Sequence, residues 1–151
     1  MKEYCKQDVR ECRADVKPGN FSWPVRVYYE DTDSGGVVYY ANYLKFMERA
    51  RTEWLRLHGF EQTDLMREHG IIFVVREVHI TYLRPAVFND LLQIGVNVHA
   101  TGRSWIEFVQ TVERVDEILT RASVKIVCVN QSSFKPVEIP EIIREKMESR
   151  T

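Results

Sequence analysis

The sequence predicts an α+β domain in which one curved antiparallel sheet of five strands wraps a single long helix. Three features carry that expectation. Residues 41–57 repeat apolar side chains at helical spacing. Residues 71–130 alternate apolar and polar side chains in four successive stretches. Residues 26–43 run from a first strand through an acidic turn and a Gly-Gly pair straight into the helix. A helix with one apolar face and strands with one apolar face bury both surfaces by packing on each other.

The first strand is expected over Phe21 to Tyr29, with Pro24 near its start, where a missing N–H is tolerated. In the long helix Tyr43, Met47, Ala50, Trp54 and Leu57 fall at spacings of four, three, four and three, which is one helical face, and Phe46 widens it. Lys45, Glu48, Arg49, Arg51, Glu53 and Arg56 lie mostly off that face, and Gly59 is placed to stop the helix. At about 1.5 Å per residue the helix spans roughly 25 Å, enough to lie along a whole sheet. A short second helix is expected between Gly59 and Gly70, with Thr63 as N-cap and Asp64 in the first turn.

Ile71 to Arg84 then puts Val78, Ile80 and Tyr82 on one face, before Pro85-Ala86 breaks the run. Asp90 to Ala100 sets Leu92, Ile94, Val96 and Val98 against Gln93, Gly95, Asn97 and His99. Thr101-Gly102 signals a tight hairpin. Arg103 to Arg114 aligns Ile106, Phe108 and Val112. Ile118 to Asn130 turns Ala122, Val124, Ile126 and Cys128 inward. These four strands are expected in antiparallel succession. Pro140 opens a short C-terminal helix through Met147. A five-stranded sheet has two open edges, which points to an oligomer.

The chain of 151 residues fits one domain, residues 21–151, preceded by a flexible extension over residues 1–20 that shows no clear period. A net charge of −1 gives no electrostatic case for nucleic acid or an anionic membrane. Cys5, Cys12 and Cys128 are an odd count without metal-ligand spacing, so reduced thiols, a cytoplasmic location and no metal are expected. No apolar run reaches the roughly 20 residues a membrane helix needs, and the N-terminus lacks the apolar core of a signal peptide.

Chemistry concentrates in the acidic turn. Asp33 offers a carboxylate, and Gly35 and Gly36 permit close backbone approach. The N–H groups around Val38 to Ala41 open a helix, where they are unpaired and sit at its positive end. Such groups can polarise a carbonyl or hold an oxyanion. On residue chemistry alone the commoner role for Asp33 is a turn or cap carboxylate, and Asp31 is a turn-forming or orienting residue. Tyr39 is expected to pack, and Tyr40 either packs or lines an acyl pocket. His58, His69, His79 and His99 are unclustered and carry no expected role. The loop lacks the Gly-Lys-Ser/Thr ending of a P-loop.

The run Arg26-Val27, then Thr32-Asp33, Gly36-Val37-Val38-Tyr39 and Asn42-Tyr43 resembles the signature of the 4-hydroxybenzoyl-CoA thioesterase family. The continuation Leu44-Lys45-Phe46-Met47-Glu48-Arg49-Ala50-Arg51-Thr52-Glu53-Trp54-Leu55 looks like its YbgC-type subfamily, associated with the Tol–Pal envelope system. So does Tyr82-Leu83-Arg84-Pro85-Ala86 followed by Asp90. The resemblance covers roughly residues 23–140. It implies the hotdog fold, hydrolysis of acyl-CoA to a carboxylic acid and CoA without a cofactor, and a catalytic role for Asp33 as general base or nucleophile.

It further implies an oxyanion site at Tyr39, Tyr40 and Ala41, a pantetheine arm threaded between subunits, and a homodimer paired into a homotetramer. An acyl carrier protein stays open as a partner. One departure is Tyr40, where many YbgC-type sequences carry His; a Tyr there resembles the 4-hydroxybenzoyl-CoA enzymes themselves. Arg84, Arg103, Arg121, Lys125 and Lys135 are candidates to meet the CoA phosphates, since Arg suits phosphate geometry. Two alternatives remain: a non-catalytic acyl-CoA or acyl-carrier-protein binding subunit, and a hotdog dehydratase, which the lack of a His in the acidic turn disfavours.

Overall fold

The computed structural model describes residues 21–148; the expected extension over residues 1–20 lies outside them. Five strands, β1 (Phe21–Arg26), β2 (Ile71–Tyr82), β3 (Leu91–Thr101), β4 (Trp105–Arg114) and β5 (Glu117–Asn130), form one antiparallel sheet in the order β1-β3-β4-β5-β2. Three helices accompany it: α1 (Asn42–Leu57), α2 (Gln62–His69) and α3 (Glu141–Glu148). Helix α1 lies on the inner face of the sheet, which gives the hotdog arrangement. Among the described residues no helix is long and apolar enough to cross a membrane.

The core is the meeting of the two apolar faces. Tyr43, Phe46, Met47, Ala50 and Trp54 of α1 are buried with Leu92, Ile94 and Val96 of β3, Ile106, Phe108 and Val112 of β4, and Ala122, Val124 and Cys128 of β5. Phe46 is fully buried; its truncation to Ala typically costs about 3–5 kcal/mol at such a site. One polar group crosses this interface. Gln110, fully buried on β4, donates Nε2–H to the Met47 carbonyl (3.1 Å) and accepts from Arg51 Nη1 (2.9 Å), tying sheet to helix. Burial pushes the Arg51 pKa below its ordinary range, and nearby Glu48 acts the other way.

The helix ends follow their local chemistry. Gly59 has φ +90° after α1, and the Phe60 N–H reaches back to the Leu55 carbonyl (3.1 Å). Gly70 caps α2 at φ +63°. Pro140 immediately precedes α3, and its carbonyl accepts from Ile143 and Arg144.

Several expectations are corrected. The N-cap of α2 is Glu61, not Thr63: Glu61 has extended backbone and pairs with Arg56 Nε (3.0 Å), so the chain turns helical two residues earlier. Strand β1 stops at Arg26, because residues 29–31 form a 3-10 turn. Strands β2 and β3 do not form a hairpin. β2 pairs with β5 and β1 with β3, so β1 and β2 are the two edges, and the 83–90 link passes the start of α1. The β3–β4 hairpin closes over Gly102, Arg103 and Ser104, with Gly102 N–H donating to the Trp105 carbonyl (2.9 Å). Leu57 is 39% exposed, since the last turn of α1 buries Trp54, Leu55 and His58 instead. Ile126 is only partly buried, and Tyr82 is 41% exposed where β2 runs past the helix start.

Candidate active site

Between β1 and α1 the chain makes two turns, each fixed by its own acidic side chain. In the first, Asp31 Oδ2 accepts from the Tyr28 N–H (2.8 Å), while the Asp31 and Thr32 amides donate to the Tyr28 and Tyr29 carbonyls (3.1 Å each). In the second, Asp33 Oδ1 accepts from the Gly35 N–H (2.8 Å) and the Asp33 carbonyl from the Gly36 N–H (3.0 Å). The Asp33 N–H donates to Val37 (2.9 Å), and Thr32 bridges Val38. Gly36 sits at φ +77°, a conformation that favours glycine. A Cβ on Gly35 would stand 3.1 Å from Asp33 Oδ1, so glycine there leaves the carboxylate its position. Asp33 is exposed and forms no ion pair among the described residues. One of its oxygens is held by the Gly35 N–H, and the other accepts no hydrogen bond among the described residues.

The Asp31 carbonyl then organises the entry to α1. It accepts from the Tyr39 N–H (2.9 Å) and from Nδ2 of buried Asn42 (2.9 Å). Tyr39 is thereby removed from the set of free N–H groups. The Asn42 N–H donates to the Tyr39 carbonyl (2.8 Å), whereas the N–H groups of Tyr40 and Ala41 find no acceptor among the described residues. These are the unpaired donors of a helix start. The Tyr39 phenol is raised above the usual tyrosine range, chiefly by its hydrogen bond with the Tyr40 phenol and least by the charge of Asp33.

The 82–90 segment holds this assembly from outside, and local sequence patterns do not reveal it. Val38 N–H donates to the Ala86 carbonyl (2.9 Å), and Val37 bridges Val87. Ala86 N–H donates to the Tyr43 hydroxyl (3.0 Å), and the Tyr82 hydroxyl donates to the Tyr40 carbonyl (2.7 Å). Burial is the main cause of a raised Tyr43 pKa. The segment is braced in turn by Asp90, whose Oδ2 accepts from the Val87 N–H (2.9 Å) and from Arg114 Nη1 (2.8 Å). Asn89 takes φ 71°, a left-handed turn suited to Asn. The only signal for this segment was the run Tyr82 to Ala86 followed by Asp90.

The cationic candidates do not converge. Arg84 pairs with Glu117 (2.9 Å) and its N–H donates to Leu119 at the start of β5. Arg103 pairs with Glu138 (3.3 Å) beside the far end of β5, where Cys128 N–H donates to Ser104. The two lie roughly 30 Å apart at about 3.3 Å per strand residue. Arg121 is exposed opposite Thr81, Lys125 lies 4.3 Å from the Trp105 ring centre, and Lys135 is exposed beyond β5. They are scattered over the sheet and do not form one phosphate site. Of the histidines, His58 is buried at the end of α1 with Nδ1 2.7 Å from the Trp54 carbonyl. His69, His79 and His99 are exposed, away from the turn.

Comparison with known proteins agrees with this architecture. The family model described as the thioesterase-like superfamily matches residues 27–147. The acyl-CoA thioesterase YbgC of Haemophilus influenzae is 46% identical over 124 residues, covering 82% of this chain and 91% of that protein. The acyl-CoA thioester hydrolase YbgC of Escherichia coli O6:H1 is 45% identical, covering 82% and 92%. Among solved structures, a probable thioesterase from Bartonella henselae superposes with a TM-score of 0.76 at 37% identity, over 79% of this chain and 98% of that one. The chain belongs to the thioesterase-like superfamily and is similar over most of its length to YbgC-type members of it.

Proposed function

We propose that the protein hydrolyses the thioester of an acyl-CoA to the free acid and CoA, with Asp33 as the catalytic carboxylate. The observation that carries the reading is an exposed carboxylate, Asp33, held on a glycine turn a few residues ahead of two unpaired N–H groups, those of Tyr40 and Ala41, at the start of α1. The thioester carbonyl docks against those N–H groups, which stabilise the negative charge that develops on its oxygen. Asp33 acts by one of two routes. As general base it takes a proton from water while the hydroxide oxygen bonds the carbonyl carbon; collapse expels the CoA thiolate, which is then protonated. As nucleophile its oxygen displaces the thiolate to give a mixed anhydride, which water cleaves to acid and carboxylate. Label from ¹⁸O-water found in the Asp33 side chain after turnover identifies the second route, with water attacking the aspartyl carbonyl.

The carboxylate and its glycine turn also argue for catalysis over a purely binding role. Thiol release measured over short, long and aromatic acyl-CoAs tests the reading. Release that depends on Asp33 is the expected result; no release from any of them overturns it. Which acyl group is preferred, and whether a carrier protein delivers it, are answered by the same panel.

The active form is a homodimer. Strand β2 is an open edge over twelve residues, and Val75, which its register with Ile126 puts on the inner face, is 52% exposed. A second copy added at β2 continues the sheet and covers that face. Two dimers then pair through the outer sheet face, with Trp105 and exposed Val109, into a homotetramer. The protein works in the cytoplasm. Sedimentation at micromolar concentration checks the assembly, and a monomer there refutes it.

A further inference from the structure

One of the two oxyanion donors named above, the Ala41 N–H, depends on the orientation of one peptide unit, that joining Tyr40 to Ala41. A trans peptide is planar, with its C=O and N–H pointing in opposite directions. No described peptide is cis. Whatever grips the Tyr40 carbonyl therefore aims the Ala41 N–H the other way. The group that grips it is the Tyr82 hydroxyl, 2.7 Å away at the end of β2, forty-two residues along the chain. Among the described residues no backbone N–H takes up that carbonyl; Leu44, four residues on, donates instead to Ala41 (3.2 Å).

We propose that Tyr82 is a positioning residue for thioester hydrolysis: its hydroxyl fixes the Tyr40–Ala41 peptide so that the Ala41 N–H is presented to the substrate carbonyl. The inference rests on the hydrolase reading. A hydrogen bond to the carbonyl also polarises the same peptide and strengthens its N–H as a donor. The Tyr82 ring is itself held, at 5.2 Å from Tyr43 and 6.5 Å from Tyr40 between ring centres, both edge-on. Tyr43 is in turn fixed by the Ala86 amide. Burial, with smaller contributions from Tyr43 and Tyr40, raises the Tyr82 pKa, so the phenol keeps its proton at neutral and mildly alkaline pH. The hydroxyl thus stays a donor throughout the range in which Asp33 would work.

Tyr82→Phe removes the hydroxyl and keeps the ring contacts. The full-length variant and the wild type are compared on the best acyl-CoA, and both are titrated with the trifluoromethyl ketone analogue of that acyl-CoA. That analogue mimics the tetrahedral oxyanion. Loss of a whole oxyanion donor costs about 10²–10³ in kcat, so a misdirected one is expected to cost about ten-fold or more. The expected pattern is that kcat falls by that factor, KM changes less than about two-fold, the melting temperature holds, and analogue affinity falls with kcat. An unchanged kcat overturns the proposal. So does a fall in kcat matched by melting temperature without loss of analogue affinity, which is the pattern of a merely structural contact. Absence of thiol release by the wild type overturns the hydrolase reading as well, which the variant alone does not touch.

Discussion

Replacing Asp33 by Asn separates chemistry from architecture, because the structure assigns the side chain one local bond that Asn can keep. Asp33 Oδ1 accepts from the Gly35 N–H at 2.8 Å. An Asn Oδ1 in the same rotamer accepts it too, and the remaining bonds of the turn, Asp33 N–H to Val37 and Gly36 N–H to the Asp33 carbonyl, are backbone. The side-chain bond is worth about 0.5–1.5 kcal/mol net, which for a domain of this size corresponds to a melting shift of a few degrees. Asn should therefore melt with the wild type, whereas Ala should melt a few degrees lower.

Catalysis should respond differently. Asn can neither take a proton from water nor form the anhydride, so both variants should lose at least about 10²-fold in kcat. Thiol release and thermal unfolding on the same samples give the comparison. Asp31→Asn is the matched control. Its Oδ2 only accepts from the Tyr28 N–H, and its carbonyl, which holds Tyr39 and Asn42, is untouched; kcat should stay within a few-fold of wild type. Near-normal turnover by Asp33→Asn would refute the reasoning. So would an Asn variant as unstable as the Ala variant with activity lost only in proportion.

Three further outcomes are expected. Gly35→Ala brings a Cβ to 3.1 Å from Asp33 Oδ1 and displaces the carboxylate, so kcat should drop by about three- to ten-fold, below the 10²-fold of a 1 Å misplacement, with little change in melting. Gln110→Leu strips Arg51 Nη1 of its acceptor and the Met47 carbonyl of its side-chain donor; urea unfolding should show a loss of about 2–3 kcal/mol. Burial pushes the Cys128 thiol up to about 11, so mass spectrometry should find it unalkylated by iodoacetamide at pH 8 in the folded protein. Its folded pKa lies above the unfolded value of about 8.5, so its contribution to stability is full below that pH and is lost as pH rises to about 11.

How much of this was legible in the sequence follows from which facts are local. Periodicity reports the face a residue occupies, and it did so where a helix or strand is covered along its length: Tyr43, Met47, Ala50 and Trp54 are buried as spaced, as are Leu92, Ile94 and Val96. It reports nothing about which strand lies next door. β2 looks like the first arm of a hairpin with β3, yet its partner is β5, and the 83–90 link instead laces along residues 37–43. Residue type fared similarly. Arginine suits phosphate wherever it lies, so Arg84 and Arg103 look alike until the sheet puts them at opposite ends of β5. Tyr39 looked as available as Tyr40 until the Asp31 carbonyl took its N–H. Asp33 and its glycines stand out because turn chemistry is written in adjacent residues. Tyr82 does not, because its alternation describes only a core-facing position; its hydroxyl acquires a role when sheet closure delivers it to the Tyr40 carbonyl. The reactive groups are thus encoded within residues 31–42, and their aim is encoded in residues 82–90. That second code is distributed over long-range pairings, so no window of sequence contains it.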